Sequence, residues 1–389
     1  MQTVAVGWQI YSITHDPLDL GLIGLSQFLP FVLLVLPAGH FADRHVRQKL
    51  LSACYALMGV CSLLLLAFSL SGMTAVWPVF AVMVLFGIAR AFAMPTGQAL
   101  LPNVVPPRLF GRAVAVNSTG WQLSTIAGPA IGGIIYLWGA PVVYGAVAAL
   151  LAAAVVLMFG VSAPAPARSA QSISLDSLLE GLRFVFRRKI ILGAISLDLF
   201  AVLFGGAAAL LPAYASDILK VGPDGLGLLR AAPGVGAAAI ALLFTWKPLS
   251  QRVGPAMLWG VALFGVSTVV FGLSESFMVS LIALAVLGAA DMVSVYIRHM
   301  LVQLETPDEI RGRVSAVSAV FIGASNELGE FESGVTAAWW GLRPAVVVGG
   351  VASIAIAGLW ARYFPQLARL DHFGPPRSEP LQGTLTQRR

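Results

Sequence analysis

The stretch "ASNELGEFESGV", residues 324–335, sets Glu327, Glu330 and Glu332 between two long apolar runs. In a helix, Glu327 and Glu330 stand about 60° apart on one face, while Glu332 and Asn326 fall on another flank. An ionised carboxylate facing lipid is costly. Acids inside a span therefore face a bundle interior or aqueous cavity and mark a pathway. Two carboxylates one turn apart suit a proton carrier. The alternatives are a rim near the far membrane surface or a static hydrogen-bond brace. Other charges inside apolar runs are Arg90, Asp198, Arg230, Asp291 and Arg298. Asp198, in "ISLDLFAVLFGG", is a second candidate proton site. Arg230 is expected near the outer surface and His299 at a polar end near the cytoplasm. Arg90 and Asp291 could pair across a cavity, or each could belong to an ion pair within one bundle.

The elements that position these residues are membrane spans. The chain of 389 residues is 58% hydrophobic and 11% charged, whereas soluble domains carry about 25% charged residues. Stretches of about 20 apolar residues cross a bilayer as helices. They run over 18–40, 51–70, 77–100, 113–138, 142–162, 190–216, 225–246, 257–274, 277–303, 314–339 and 344–363. Ahead of them, "MQTVAVGWQIYSIT" is apolar but short. It is expected to be the second half of a first span whose beginning precedes Met1, the alternative being a short interfacial helix. Cys54 and Cys61 share one apolar run and read as inert core residues. No cleavable signal peptide is visible.

Basic residues sort the loops. With the half-span counted first, loops after even-numbered spans, the central loop and the tail hold nearly all of them. The opposite loops hold only Lys220 and Arg343. By the positive-inside rule the basic side is cytoplasmic. The net charge of +6 is then a topology signal, not a nucleic-acid footprint. The expected organisation is an N-terminal bundle (1–162), a cytoplasmic linker (163–189), a C-terminal bundle (190–365) and a cytoplasmic tail (366–389). Within the linker, "ISLDSLLEGLRFVFRRK" reads as an amphipathic helix. Leu175, Leu178, Leu179, Leu182, Val185 and Phe186 share its apolar face, and its basic end suits an anionic inner leaflet.

The halves repeat. Shifted by 201 residues, 87–133 falls on 288–334, matching Gly87 with Gly288, Pro106 with Pro307, Gly111 with Gly312, Arg112 with Arg313, Ser124 with Ser325, Gly128 with Gly329 and Gly133 with Gly334. Ser124, Gly128 and Gly132 form a small-residue stripe that admits another backbone. Pro129 bends or relaxes that helix. Ser325, Gly329 and Ser333 repeat the stripe, and Glu327 and Glu330 point away from it.

"GHFADRHVRQKLL", residues 39–51, resembles the major facilitator loop pattern G-x-L-A-D-R-x-G-R-K-x-x-L, matching at Gly39, Ala42, Asp43, Arg44, Arg47 and Leu51. Phe41, Val46 and Gln48 depart from it. "STIAGPAIGG" (124–133) resembles that superfamily's antiporter pattern, through Ser124, Gly128, Pro129, Gly132 and Gly133. "GWQIYSIT", "LLPNVVPPRLFGRAVAVNS" and "PDEIRGRVSAV" look like the branch of bacterial enterobactin (siderophore) exporters and related drug-efflux proteins.

The resemblance implies an all-α polytopic fold of two pseudo-equivalent six-helix bundles, the first helix apparently truncated, rocking about a midplane site. It implies that Asp43, with Arg44 and Arg47, gates the cytoplasmic side against the start of span 11 near Arg311 and Arg313; the bland alternative is a positive-inside anchor. The expected function is proton-coupled export of a small amphipathic organic compound by alternating access, from a bacterial inner membrane with both termini of the full protein cytoplasmic. Glu330, Glu327, Glu332, Asp198, Asp291 and Arg90 are the coupling candidates. Trp8, Tyr11, Phe28, Trp121, Phe200 and Phe204 are the candidate cavity walls. The expected partners are a small-molecule substrate, protons and the bilayer, with no nucleic acid, in a monomer with no cofactor and no metal. The alternatives are a non-transporting sensor or degenerate relative, or a membrane-embedded enzyme; no P-loop, H-E-x-x-H or nucleophile elbow is present.

Overall fold

The computed structural model describes residues 1–72, 74–161 and 175–373. Side chains at 36, 39, 40, 43, 44, 102, 107, 175–179, 308, 309, 312 and 316 lie outside the description. Every regular element among the described residues is helical. The N-terminal half comprises α1 (Gln2–Thr14), α2 (Pro17–Arg44), α3 (Arg47–Ser71), α4 (Trp77–Val104), α5 (Phe110–Tyr136) and α6 (Ala140–Phe159). Then come α7 (Leu175–Arg187) and α8 (Lys189–Gly205). Beyond Gly205, α8 continues through a 3₁₀ turn (Ala207–Leu210), α9 (Leu211–Ala213) and a π turn (Tyr214–Ile218). The remainder is α10 (Pro223–Trp246), α11 (Val253–Leu273), α12 (Phe277–Glu305), α13 (Asp308–Trp340), α14 (Leu342–Tyr363) and α15 (Pro365–Ala368).

Local chemistry sets the boundaries. Asp16 caps α2 by accepting from the Leu18 amide at 2.9 Å, with Pro17 in the first turn, where a missing N–H costs nothing. Gly139 opens α6 at φ 101, ψ 158, and Gly341 opens α14 at φ 89, ψ 162. Essentially only glycine adopts that backbone conformation. The same corner thus recurs in both halves, outside the region of matching sequence.

Packing follows the repeat as well. α2 with α4, α3 with α4 and α3 with α6 pair in the first half, as α10 with α12, α11 with α12 and α11 with α14 do in the second. Nine helices among the described residues are long and apolar enough to cross a membrane. α5 and α13 are long enough but too polar to be among them: α5 carries Asn117, Gln122 and Thr125, and α13 carries its glutamates and arginines.

Two segments outside the spans pack on protein. The amphipathic helix α7 docks on protein: Leu182 and Val185 join a core with Ile191, Ile195, Val302, Val314 and Val317, while Phe186 stays exposed. Gly181 abuts the Arg313 carbonyl, and Glu180 forms an ion pair with Arg313. An apolar face seeks any apolar cover, and here α8, α12 and α13 provide it before lipid does. Leu175, Leu178 and Leu179 have side chains outside the description, as does the linker 162–174. Second, residues after α15 fold back on α11. The carbonyls of Leu370 and Asp371 accept from the amides of Gly254 (2.8 Å) and Val253 (3.3 Å), satisfying orphan donors at the start of that helix. The tail from 374 onward lies outside the described residues.

Candidate functional site

The halves meet at the end opposite the arginine-rich loops. α2 crosses α13 with Gly21 against Phe331 and Gly334, and α5 crosses α10 with Gly133 against Gly227 and the Pro223 carbonyl. A Cβ at Gly133 would stand 2.4 Å from that carbonyl oxygen, and one at Gly334 would stand 2.9 Å from the Gly21 Cα. Both crossings therefore need glycine. Tyr11 Oη donates to Asp217 Oδ2 at 2.5 Å, joining α1 to the π turn of the other half. At the arginine-rich end α5 stands apart. From Arg108 to Thr125 every residue but Ala113 is exposed, whichever face of the helix it occupies. The assembly is closed at one end and open at the other.

Between these ends lies a cluster of charges. Arg90 of α4 pairs with Glu327 of α13 at 2.8 Å, an ion pair between the two halves. The Arg90 guanidinium lies 5.3 Å from the centre of the Phe31 ring, a cation–π distance. Glu330 occupies space that Gly24 of α2 leaves free: a Cβ there would sit 2.9 Å from the Glu330 carboxylate. Glu330 is within electrostatic reach of Glu327, Arg90 and Arg230. Arg230 of α10 extends beside Gly7 and donates weakly to the Ala208 carbonyl at 3.5 Å; its Nε is buried without a hydrogen-bond partner among the described residues. The group holds two acids and two guanidiniums. Its formal charges therefore balance.

A second buried group lies within the C-terminal half. Asp198 of α8 forms an ion pair with Arg298 of α12, and Asp291 of α12 is within electrostatic reach of both. Arg90 thus pairs with Glu327 and not with Asp291, because α13, carrying its acids, lies across from α4. Arg230 lies near the start of α10 and is half-buried, its guanidinium reaching toward Gly7 and the Ala208 carbonyl. Its partner was legible in principle: a cation among glycine and alanine inside a span needs an acid. That Asp217 would meet Tyr11 had no sequence signal, because 206 residues separate them.

The remaining candidates are placed as follows. Glu332 is half-buried on the other flank of α13. The stripe Ser325, Gly329, Ser333 faces α8: Gly329 meets the carbonyls of Val202 and Leu203, and Ser333 donates to the Gly206 carbonyl at 2.9 Å. In α5, Gly132 and Gly128 face Met1, Gly133 and Pro129 face α10, and Ser124 lines a groove of about 610 Å³ with Gly128, Ile131, Met58 and Leu151. Gly39, Asp43 and Arg44 end α2, but their side chains lie outside the description. Arg47 starts α3 and donates to the Ala99 carbonyl of α4 at 3.1 Å.

The six aromatic residues do not form one wall. Tyr11 and Phe28 are buried, Trp8 packs on the C-terminal core, and Phe200 lies against Trp360. Trp121 is 76% exposed on the detached part of α5, and Phe204 is exposed. Aromatic character identifies buried area, not which neighbour buries it.

The family model of transmembrane secretion effectors, a major facilitator family, matches residues 1–382. The chain belongs to that family. It is 27% identical over 323 residues to the enterobactin exporter EntS of Escherichia coli O1:K1, and 28% identical to that of Citrobacter koseri; each match covers 81% of this chain and 76% of the relative. The nucleoside transporter NupG superposes with TM-score 0.69 at 14% identity, covering 94% of this chain and 94% of its own. A bacterial homologue of the human lysosomal transporter Spinster, inward-facing and occupied, superposes with TM-score 0.69 at 13% identity, covering 94% and 95%. These superpositions establish the all-α polytopic fold. Membership in the family makes the chain a multi-pass bacterial membrane transporter and not an enzyme.

Proposed function

We propose that this transporter exports a small amphipathic organic compound across the bacterial inner membrane in exchange for protons, with the Arg90–Glu327–Glu330–Arg230 cluster as the coupling site. The observation that carries the reading is the Arg90–Glu327 ion pair, which joins the two halves between a closed end and an open one. If the basic loops are cytoplasmic, the open end faces inward. Substrate then enters from the cytoplasm, and rocking exposes it outside. Proton uptake by Glu330 or Glu327 would loosen the cross-half pairing, and proton loss would restore it. The enterobactin exporters among the relatives make a siderophore the first substrate to test, and drug-like amphipaths the second. Glu332 is kept as a reserve coupling residue. Asp43, with Arg44 and Arg47, is proposed to gate the cytoplasmic side.

The test is flux of enterobactin, then of drug-like amphipaths, in proteoliposomes under an imposed pH gradient. Glu330→Gln is expected to abolish gradient-driven flux yet retain binding, with Glu327→Gln milder. Binding in both variants should lose pH dependence, because proton and substrate affinities are reciprocally linked. Wild-type flux and pH dependence in both variants would make these glutamates structural.

A further inference from the structure

We infer that the Asp198–Arg298–Asp291 cluster is a second proton-binding site, inside the C-terminal bundle and separate from the cross-half cluster, with Asp291 as the carboxyl that takes the proton. Arg298 is 2% exposed and Asp198 5%, so their ion pair is shut away from solvent. Asp291 and Arg298 are seven residues apart on α12 and so share a face. Cα–Cβ bonds tilt toward the helix N-terminus, which leans Arg298 back toward Asp291.

The charges do not balance. Two carboxylates compete for one guanidinium, and no other cation among the described residues is placed to help. α11 carries no ionisable residue, and α10 has only Asp224 and Arg230, both toward its far end. On α13, Glu327 and Glu330 lie with Arg90 and Arg230, Glu332 is a further acid, Arg313 pairs with Glu180, and Arg311 donates to the Thr306 carbonyl. On α8, Lys189 is at the helix start, nine residues from Asp198. His299 lies near Arg298 and Asp198, but its side chain is exposed. Asp291 itself is half-buried; a carboxylate drawn partly out of water without a cation of its own is costly, and a bound proton removes the charge.

A second observation points the same way. Among the described residues, Arg298 Nε is buried without a hydrogen-bond partner, and so is the Oγ of Ser294, a residue 1% exposed. Residues 291, 294 and 298 lie along one face of α12. The guanidinium therefore has spare donor capacity with which to accept Asp291 when Asp198 gives it up. Asp198 is on α8, whose next turn meets the Gly329 seam of α13. A change of partner at Arg298 would be felt where the two helices touch.

Infrared spectroscopy of the full chain in lipid vesicles tests this without any substrate. At neutral pH the wild type should show a protonated-carboxyl C=O band that moves when aspartate carries carbon-13 in its side-chain carboxyl. Asp291→Asn should lose that component, and Glu330→Gln should keep it. Asp198→Asn should also lose it, since Arg298 is then free to hold Asp291 ionised. The labelled wild type needs no substitution and so answers even where a variant fails to fold. No label-sensitive band in the wild type would overturn the proposal, and so would a band that survives Asp291→Asn. Neither result would bear on Glu330, whose role is read from flux.

Discussion

Gly133 of α5 and Gly334 of α13 occupy matching places in the repeat, and each lets its helix cross into the other half. The small stripes match too: Gly128 and Gly132 face α1, as Gly329 and Ser333 face α8. There the likeness stops. α13 carries Glu327 and Glu330 where α5 has Ile126 and Pro129. Its arginine-rich end is clad by α7, whereas the same end of α5 is exposed all round. The repeat thus supplies seam and crossing in both copies. Charge is added to one copy only, off the small-residue seam, with Glu330 in the space that Gly24 of α2 leaves open. The matching Ile126 and Pro129 of α5 lie against Gly234 and Gly227 of α10, so in both copies these positions are accommodated by a glycine of the facing helix.

The largest expected effect comes from breaking what the two helices share. Gly133→Val and Gly334→Val each drive a branched side chain into facing backbone, a clash that costs on the order of 1–3 kcal/mol or more. Both should push the halves apart at the closed end, widening the distance between spin labels at Ser12 and Trp340 in electron–electron resonance. Gly133→Val should be the more severe, its nearest obstacle being 2.4 Å away against 2.9 Å. An unchanged distance in either variant would show that its crossing does not hold the closed end.

A smaller effect should follow from removing what only α13 has. Arg90→Gln takes the cross-half partner from Glu327, whose side chain is 15% exposed. Hydrogen bonds to charged groups contribute about 1.5–3 kcal/mol, and the half-exposed arginine argues for the low end. Flux should fall on the order of tenfold, while the Ser12–Trp340 distance distribution broadens without a full shift. Wild-type flux would reduce the ion pair to decoration.

The smallest effect belongs to the cladding. The Glu180–Arg313 pair is solvent-exposed, and such pairs are worth about 0–1 kcal/mol. Glu180→Gln should leave the midpoint of thermal unfolding nearly unchanged. Gly181→Val, which strikes the Arg313 carbonyl, should lower it clearly. Equal, negligible shifts would mean that α7 does not hold α13.

Much of the fold was legible because the bilayer is a demanding solvent. Helix positions and the repeat follow from where apolar runs and glycines fall. The seam was legible as well: the spacing of Ser325, Gly329 and Ser333 already marks a face that admits a backbone. So was the asymmetry of charge between the copies, since the acids of α13 stand in the sequence opposite uncharged residues of α5.

Partnership was another matter. Helical periodicity says which residues share a face, and nothing about which helix stands opposite it. Arg90 and Asp291 occupy equivalent positions in the repeat, but the tertiary structure turned Arg90 to Glu327 and set Asp291 beside Asp198 and Arg298. The apolar face of α7 was plain in the sequence; only packing decided that protein covers it. Tyr11 and Trp121 are both aromatic residues in apolar segments, yet one is sealed against Asp217 and the other stands in the open. Burying apolar surface is rewarded whatever covers it, so hydropathy determines that a face is covered. Charge pairing and close packing require particular atoms at particular distances, and those exist only once the helices have been brought together.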